Sequence, residues 1–264
     1  MKQEQLENLK KWLGEYVADF YCDDEYINAN IRLKECHSHR TREEMNYLTS
    51  RLSLDTNKKL IAESTALLHD IGRFEQFKKY QTYSDHRSVN HSELALEILH
   101  QTQILDRFDK TEKKFIEKAI EYHNLKELPE GLNGDLLLYS KLIRDADKLD
   151  IFFVATECYK QLRMNPESVM LEIEFPDTPE YTPSVLEDLL AGEKVNYKML
   201  NTFNDMKLLQ LGWVYDINFV AALERIKKRG FLDMVLDFLP QTEDIDKVRK
   251  KIFEYVDERI QNQS

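Results

Sequence analysis

The sequence predicts an all-α fold, with a helical core followed by additional C-terminal helices. Three observations support this prediction. The 264-residue chain has only seven glycines and six prolines, so few positions interrupt long helices. Apolar residues recur at intervals of three and four, which is the period of an amphipathic helix. The first 165 residues also lack the alternation of apolar and polar residues that is typical of strands.

The apolar spacing predicts a series of helices in the first 165 residues. These helices cover approximately residues 6–20, 26–52, 60–71, 91–99, 111–123 and 135–162. Gly72 is well placed to end the third helix, because glycine is common just after a helix. Either Ser88 or Asn90 could cap the fourth helix through its side-chain oxygen. Residues 77–87 are polar and aromatic, and we expect them to form a loop that could contact a ligand.

The sequence changes character after residue 165, which divides the chain into two predicted parts. Residues 1–165 should form a helical core with a candidate metal site, and residues 166–264 a helical part packed on that core. Within the second part, residues 169–175 alternate and predict a small strand or an extended arm. One further predicted helix starts near Ser184. The helices predicted after it cover residues 201–211, 218–229, 231–238 and 244–260.

The composition is that of an ordinary globular protein, with 42% hydrophobic and 32% charged residues. The net charge of −11 opposes binding to long nucleic acids, which are held mainly by clustered lysine and arginine. No apolar run is long enough to span a bilayer, and the first residues contain no apolar signal core. The three cysteines have no CxxC spacing, which fits a reducing compartment. We therefore expect a cytoplasmic protein without a membrane partner.

Histidines and aspartates that could bind a metal ion are distributed over the predicted helices. The pair His69-Asp70 lies at the end of the third helix. Adjacent side chains on a helix point about 100° apart, so this pair can bind one ion only if distant segments supply further ligands. Such candidates occur before and after the pair, at His37, His91, His123 and Asp147.

Two nearby residues compete with these candidates. Asp145 lies roughly opposite Asp147 on its predicted helix, so only one of the two should face the core. The apolar stripe of that helix favours Asp147. Cys36 could also act as a ligand, but its side chain should diverge from that of the neighbouring His37.

This H…HD…H…H…D series resembles the HD superfamily of metal-dependent phosphohydrolases. The resemblance includes the flanking letters His37-Ser38-x-Arg40, Leu67-Leu68-His69-Asp70-Ile71-Gly72 and Ala146-Asp147-Lys148-Leu149-Asp150, and it covers roughly residues 25–160. It implies that one ion is bound by His37, His69, Asp70 and Asp147. A second ion would then be bound by His91, His123 and the other oxygen of Asp70.

The ligand types suit Mn, Fe, Co, Ni or Zn, whereas Mg is less well matched to so much nitrogen. The resemblance implies one or two divalent ions and hydrolysis of a small phosphate ester or nucleotide by a metal-activated hydroxide. Asp70 would act at the catalytic centre. Arg73 takes a position where many relatives carry lysine, and it is our first candidate for stabilising the phosphoryl group. Weaker candidates for substrate contact are Arg144, Lys148 and His86.

Several alternatives within the resemblance remain. A single His123 without a Gly-Tyr-Pro element argues against cyclic-dinucleotide phosphodiesterases of the HD-GYP group, and Arg73-Phe74-Glu75 argues against alarmone hydrolases. Dinucleoside-polyphosphate hydrolases stay open. The same ligands also serve di-iron oxygenases similar to inositol oxygenase, and a catalytically slow metal-binding signalling module is a third possibility. The sequence leaves the substrate, the physiological metal and the oligomeric state open.

Overall fold

A computed structural model describes residues 1–165 and 175–262, and those residues contain helices and no strand. The predicted all-α fold is therefore confirmed. The helices before residue 165 are α1 (Gln3–Ala18), α2 (Glu25–Arg51), α3 (Thr56–Leu68), α4 (Gly72–Tyr80), α5 (His91–Thr102), α6 (Lys110–Tyr122) and α7 (Gly134–Met164). The later helices are α8 (Pro183–Ala191), α9 (Phe203–Gly212), α10 (Val220–Arg229), α11 (Phe231–Leu236) and α12 (Glu243–Gln261).

The starts of the helices around the candidate site are fixed by side-chain caps. Asp24 accepts hydrogen bonds from backbone amides at the start of α2, and Asp55 does the same for α3. Asn90 caps α5 by accepting from the amide of Ser92, which confirms one of the two predicted caps. Asp109 caps α6 in the same way. These caps determine where in the first turn of each helix a functional residue such as His91 lies.

The chain divides into two compact units, Met1–Asp150 and Ile151–Ser264, so the division falls inside α7. The boundary predicted near residue 165 stays a prediction. In the first unit α3 packs against α1, α2 and α6, while α4 packs against α2 and α5. Because of this packing, α3 is buried from Leu60 onwards except at Glu63, and the buried part includes Leu67 and Leu68 immediately before the His69-Asp70 pair.

In the second unit α8 and α10 pack against α12, and α9 packs against α8 and α11. These helices agree with the ones predicted after residue 183. The predicted strand or arm at 169–175 lies almost entirely outside the described residues. In the described ranges, no helix combines the length and the apolar character needed to cross a membrane.

Gly72 does not end a helix as predicted. Helix α3 ends at Leu68, and Gly72 is instead the first residue of α4. A Cβ atom at Gly72 would lie 2.2 Å from the carbonyl oxygen of His91 and 2.8 Å from the amide nitrogen of Ala95. Glycine is therefore required because the backbones of α4 and α5 approach closely here. Helix α4 also extends to Tyr80, so the loop predicted at 77–87 begins only after that residue.

Asp145 also differs from the prediction. It is completely buried, although the spacing along α7 had indicated that only Asp145 or Asp147 would face the interior. Leu142, Ile143 and Ala146 are buried on the same stretch of α7. The expectation is wrong because this stretch is covered on more than one side, a condition that helical spacing alone does not reveal.

We predict that Gly72→Ala lowers the free energy of unfolding by about 1–3 kcal/mol, because the added methyl group forces α4 and α5 apart. The measurement is denaturant unfolding monitored by circular dichroism. Gly14→Ala is the matched control, because Gly14 lies inside α1 and a Cβ atom added there would meet no atom within 4 Å. This control should be neutral or stabilising. Equal stability of the two variants would contradict the close approach.

Candidate metal centre

Six side chains from separate segments meet in the first unit. His37 lies on α2, and His69 and Asp70 occupy the junction between α3 and α4. His91 is the first residue of α5, His123 follows the end of α6, and Asp147 lies on α7. All except Asp147 are buried, and the Asp147 side chain retains 18% exposure. The structure thus brings together all six residues that the sequence singled out as candidate ligands.

The four histidines form two close pairs. The Nε2 atoms of His37 and His69 are 3.2 Å apart. Those of His91 and His123 are 3.0 Å apart. Each Nε2 atom therefore faces another Nε2 atom rather than an ordinary hydrogen-bond donor.

The opposite ring nitrogens decide which tautomer is present. Nδ1 of His69 lies 2.7 Å from the carbonyl of Ala66, and Nδ1 of His123 lies 2.7 Å from the carbonyl of Ile120. A carbonyl oxygen can only accept a hydrogen bond, so both Nδ1 atoms must carry the proton. In the neutral rings the Nε2 lone pairs are then unprotonated and directed into the cluster.

Carboxylates hold the other two rings in the same way. His37 Nδ1 donates to Asp150 Oδ2 at 2.7 Å, and His91 Nδ1 donates to Asp85 Oδ2 at 2.7 Å. Orientation of a metal-binding imidazole through its second nitrogen is a recurring feature of metal sites in proteins. All four rings therefore present Nε2 towards the same volume.

The two central aspartates lie among these lone pairs. Asp70 is placed between the histidine pairs: Oδ2 is 3.4 Å from His37 Nε2, and Oδ1 is 3.5 Å from His91 Nε2. Asp147 Oδ1 is 3.1 Å from His37 Nε2 and 3.5 Å from His69 Nε2. Carboxylate oxygens and imidazole lone pairs repel each other unless a proton or a cation lies between them.

The donor set fits a divalent metal ion. The ligand atoms form three overlapping groups, in each of which all of them lie within 4.8 Å of one another. The groups are His37, His69 and Asp70; His69, His123 and Asp147; and Asp70, His91 and His123. Imidazole nitrogen combined with carboxylate oxygen suits first-row transition metals. The clustered residues could therefore bind a divalent metal.

The charges in the cluster shift several pKa values. Burial raises the pKa of Asp70, but the positive charges of Lys34 and the neighbouring cationic groups outweigh burial and hold it well below its usual range. Burial likewise opposes ionisation of Asp147, but the neighbouring His37 and His69 rings outweigh burial and hold its pKa well below the usual range. Both carboxylates are therefore ionised at neutral pH and available as ligands.

The histidines respond in two directions. Burial lowers the pKa of His37, but hydrogen bonds to Asp147 and Asp150 outweigh it and raise the pKa above the ordinary value. Burial, together with repulsion from His91 and His69, lowers the pKa of His123 to about 3. His123 is therefore neutral at pH 7, whereas His37 readily takes up a proton when no metal is bound.

Three residues of the centre were missed by the sequence analysis. Asp150 belongs to the flanking letters of the last motif, and its position three residues after Asp147 was the signal for it. Asp85 lies in a short 3-10 turn of the loop after α4, where no spacing rule connects it to His91. Lys34 lies one turn before His37 on α2 and donates to Asp70 Oδ2 at 2.8 Å.

The predicted catalytic arginine is engaged by neighbouring acceptors. Arg73 Nη1 donates to Asp85 Oδ1 at 2.9 Å and to the carbonyl of Tyr83 at 2.6 Å, and Nε lies 3.4 Å from Asp70 Oδ1. Its charge thus adjoins the cluster, and its guanidinium group is anchored to the loop after α4. A role in stabilising a phosphoryl group stays a prediction.

The weaker candidates lie in different surroundings. Arg144 is buried and donates to the carbonyls of His123 at 3.2 Å and of Leu125, so it binds the chain that follows α6. Lys148 is half-buried on α7, and His86 is exposed in the 3-10 turn. Cys36 is exposed, whereas its neighbour His37 is buried in the cluster. Contact of Arg144, Lys148 or His86 with a substrate stays a prediction.

Comparison with known proteins identifies the segment that contains the centre. Residues 37–151 match the family model described as "HD domain". This segment starts at the first histidine of the cluster and includes all six candidate ligands. The superfamily consists of metal-dependent hydrolase-like proteins, which agrees with the donor set. Searches of curated proteins and of solved structures found no significant match.

We predict that Asp150→Asn weakens metal binding about 10–100-fold, because an amide no longer fixes the His37 ring as a carboxylate does. The measurement is competition with a chromophoric chelator. Asp135→Asn is the matched control on the same helix: Asp135 is paired with Lys58 and is about one-third exposed (38%). Unchanged affinity in Asp150→Asn would contradict the orienting role of the carboxylate.

We also predict that metal binding releases protons near neutral pH. Because the pKa of His37 is raised, the metal-free ring keeps its proton at pH values where an ordinary histidine is neutral, whereas ligation requires a neutral ring. Apparent metal affinity should therefore rise as the pH increases. Calorimetry in buffers with different ionisation enthalpies measures the release. A pH-independent affinity would contradict this prediction.

Proposed function

We propose that this protein, whose residues 37–151 match the HD domain family model, is a metal-dependent phosphohydrolase that cleaves a small phosphate ester or nucleotide. One observation carries the proposal. Four imidazole Nε2 atoms and two ionised carboxylates converge in a buried cluster, and each ring is oriented through its second nitrogen. Such a constellation has little value for stability and fits metal-assisted hydrolysis.

The position of Asp70 supports two ions rather than one. Its Oδ2 faces the pair His37 and His69, and its Oδ1 faces the pair His91 and His123. A carboxylate in this position can bridge two cations. The first ion would be held by His37, His69, Asp70 and Asp147, and the second by His91, His123 and Asp70. Mn, Fe, Co, Ni and Zn are the metals that this ligand set favours.

The chemistry that bound ions supply is a hydroxide available near neutral pH, because coordination lowers the pKa of water. The protein contributes orientation. Asp150 is held by Arg40, through Nε–Oδ1 at 2.6 Å, and in turn fixes the His37 ring. Asp85 is held by Arg73 and Gln76 and fixes the His91 ring. These anchored carboxylates keep the Nε2 atoms in place without rearrangement during turnover.

Arg73 would contribute positive charge close to the reacting phosphoryl group. Its Nε lies beside Asp70, and its Nη1 is fixed by acceptors in the loop after α4. A guanidinium held in this way is already oriented, which suits stabilisation of a phosphoryl anion. The expected partner is thus a small phosphorylated molecule, and a nucleotide is one such class.

The two alternative functions predict experimental results that differ from those of a hydrolase. A di-iron oxygenase would need iron and would form an oxygen-dependent product, whereas a slow signalling module would bind metal without turnover. No observation in the described part of the chain favours either over hydrolysis.

We predict that the protein releases phosphate from members of a panel of nucleotides and phosphate esters when Mn, Ni, Co, Mg or Fe(II) is supplied without oxygen. Asp70→Asn should lower kcat/KM by more than about 100-fold, because one central ligand is lost. Asp135→Asn, which changes the same functional group on the surface, should retain wild-type activity.

Phosphate release is measured colorimetrically, and circular dichroism checks that both variants are folded. If the wild type binds metal but releases no phosphate with any metal and substrate, the proposed hydrolysis is contradicted. The iron-loaded protein would then be tested with oxygen.

A further inference from the structure

Lys34 is a cation inside the centre that the ligand pattern does not include. It lies on α2, one turn before His37, and its side chain is only 17% exposed. Its Nζ donates to Asp70 Oδ2 at 2.8 Å, and Oδ2 is also the Asp70 oxygen closest to His37 and His69. A lysine that served solubility alone would not be buried against this oxygen.

The aromatic ring of Tyr83 fixes the other side of the ammonium group. Lys34 Nζ lies 5.1 Å from the centroid of this ring, within the range of a cation–π contact. Tyr83 is itself held in place, because its hydroxyl donates to the carbonyl of Asn30 at 2.8 Å and its ring stacks on Phe77. The ammonium group is thus held beside Asp70 by a rigid surface.

The charge balance determines what this ammonium group can do. With all four histidine rings neutral, as metal ligation requires, the carboxylates of Asp70 and Asp147 exceed the charge of Lys34 by one negative unit. The nearby pairs Arg73–Asp85 and Arg40–Asp150 are each neutral. A single divalent ion reverses the sign of the cluster, and a second ion adds further positive charge. A loaded centre therefore attracts an anion.

A metal ion also changes the partner that Lys34 prefers. Once an ion shares Asp70 Oδ2, that oxygen has less negative charge to offer, and the ion repels the ammonium group. The strongest acceptors that can then approach are the oxygens of an anionic ligand. Phosphoryl oxygens suit both the positively charged centre and the Lys34 ammonium group, since they carry negative charge and accept several hydrogen bonds.

We infer that Lys34 is a phosphate-binding residue of the loaded centre, held by Asp70 and Tyr83 until a phosphorylated ligand takes over the ammonium group. This inference rests on the proposed function and adds a substrate-binding residue to it. It also distinguishes Lys34 from a residue that only supports the metal ligands. A supporting residue would be needed for metal binding, whereas Lys34 competes with the metal for the charge of Asp70.

The experiment measures two affinities by calorimetry, that of Mn(II) for the metal-free protein and that of inorganic phosphate for the Mn(II)-loaded protein. Lys34→Met should weaken phosphate binding by about tenfold or more, the effect of losing one charged hydrogen bond. Its affinity for Mn(II) should equal or exceed that of the wild type. Lys34→Arg keeps the charge and should retain most of the phosphate affinity.

Lys10→Met is the matched control, because Lys10 Nζ also lies 2.8 Å from a carboxylate, that of Glu7 on α1. It should leave both affinities unchanged. The inference is overturned if Lys34→Met binds phosphate as well as the wild type does. It is equally overturned if Mn(II) affinity falls while phosphate affinity does not, since Lys34 would then only orient Asp70.

The outcomes separate this inference from the proposed function. If Lys34→Met weakens phosphate binding but the wild type hydrolyses no substrate, the inference about Lys34 is supported and the proposed hydrolase function is wrong. If the wild type hydrolyses a substrate and Lys34→Met has the same KM and kcat, the hydrolase function is supported and the inference about Lys34 is wrong. Failure of the loaded wild type to bind phosphate at all removes the inference directly.

Discussion

The main constraint on this structure is that it must hold four imidazole nitrogens and two carboxylates, which repel one another, in one buried cluster. The Nε2 atoms approach each other to 3.0 and 3.2 Å, and the hydrogen bonds on the opposite nitrogens prevent the rings from turning their protons inward. Such an arrangement is unfavourable in the absence of a cation, because lone pairs and negative charge face one another in a poorly solvated space. A metal ion would convert the same contacts into ligand bonds, and relief of the repulsion would add to the free energy with which the folded protein binds the ion.

The helical scaffold maintains this arrangement by close packing and by a second layer of charged residues. Gly72 allows α4 to approach α5 closely, and this contact sets the position of His91 relative to Asp70. Asp85 and Asp150 each connect a ligand histidine to an arginine. Each of these carboxylates is satisfied on both sides, so the rings are held by complete hydrogen-bond networks rather than by isolated contacts. Pre-organisation of this kind is what a metal-dependent catalyst requires.

The sign of the local charge connects metal loading with ligand choice. The chain as a whole carries a net charge of −11, which is unfavourable for an anionic substrate. Within the centre, however, Lys34 and Arg73 already adjoin Asp70, and a divalent ion makes the cluster positive. The metal would thus have two roles in the proposed function, activating water and making the site attractive to phosphate. This explains how an acidic protein could use a phosphorylated substrate.

The sequence by itself determined the all-α fold, most helix positions and the six residues that converge in the centre. Helical periodicity and an ordered series of histidines and aspartates can be recognised in the sequence without knowing how the helices pack. The tertiary structure alone decided the role of Gly72, the burial of Asp145, and the contacts of Asp85 and Lys34 with the ligands. Each of these depends on a distance between segments that are separated in sequence, such as α4 and α5, or the loop after α4 and His91. Local spacing carries no information about such distances, because they are set by how the helices pack.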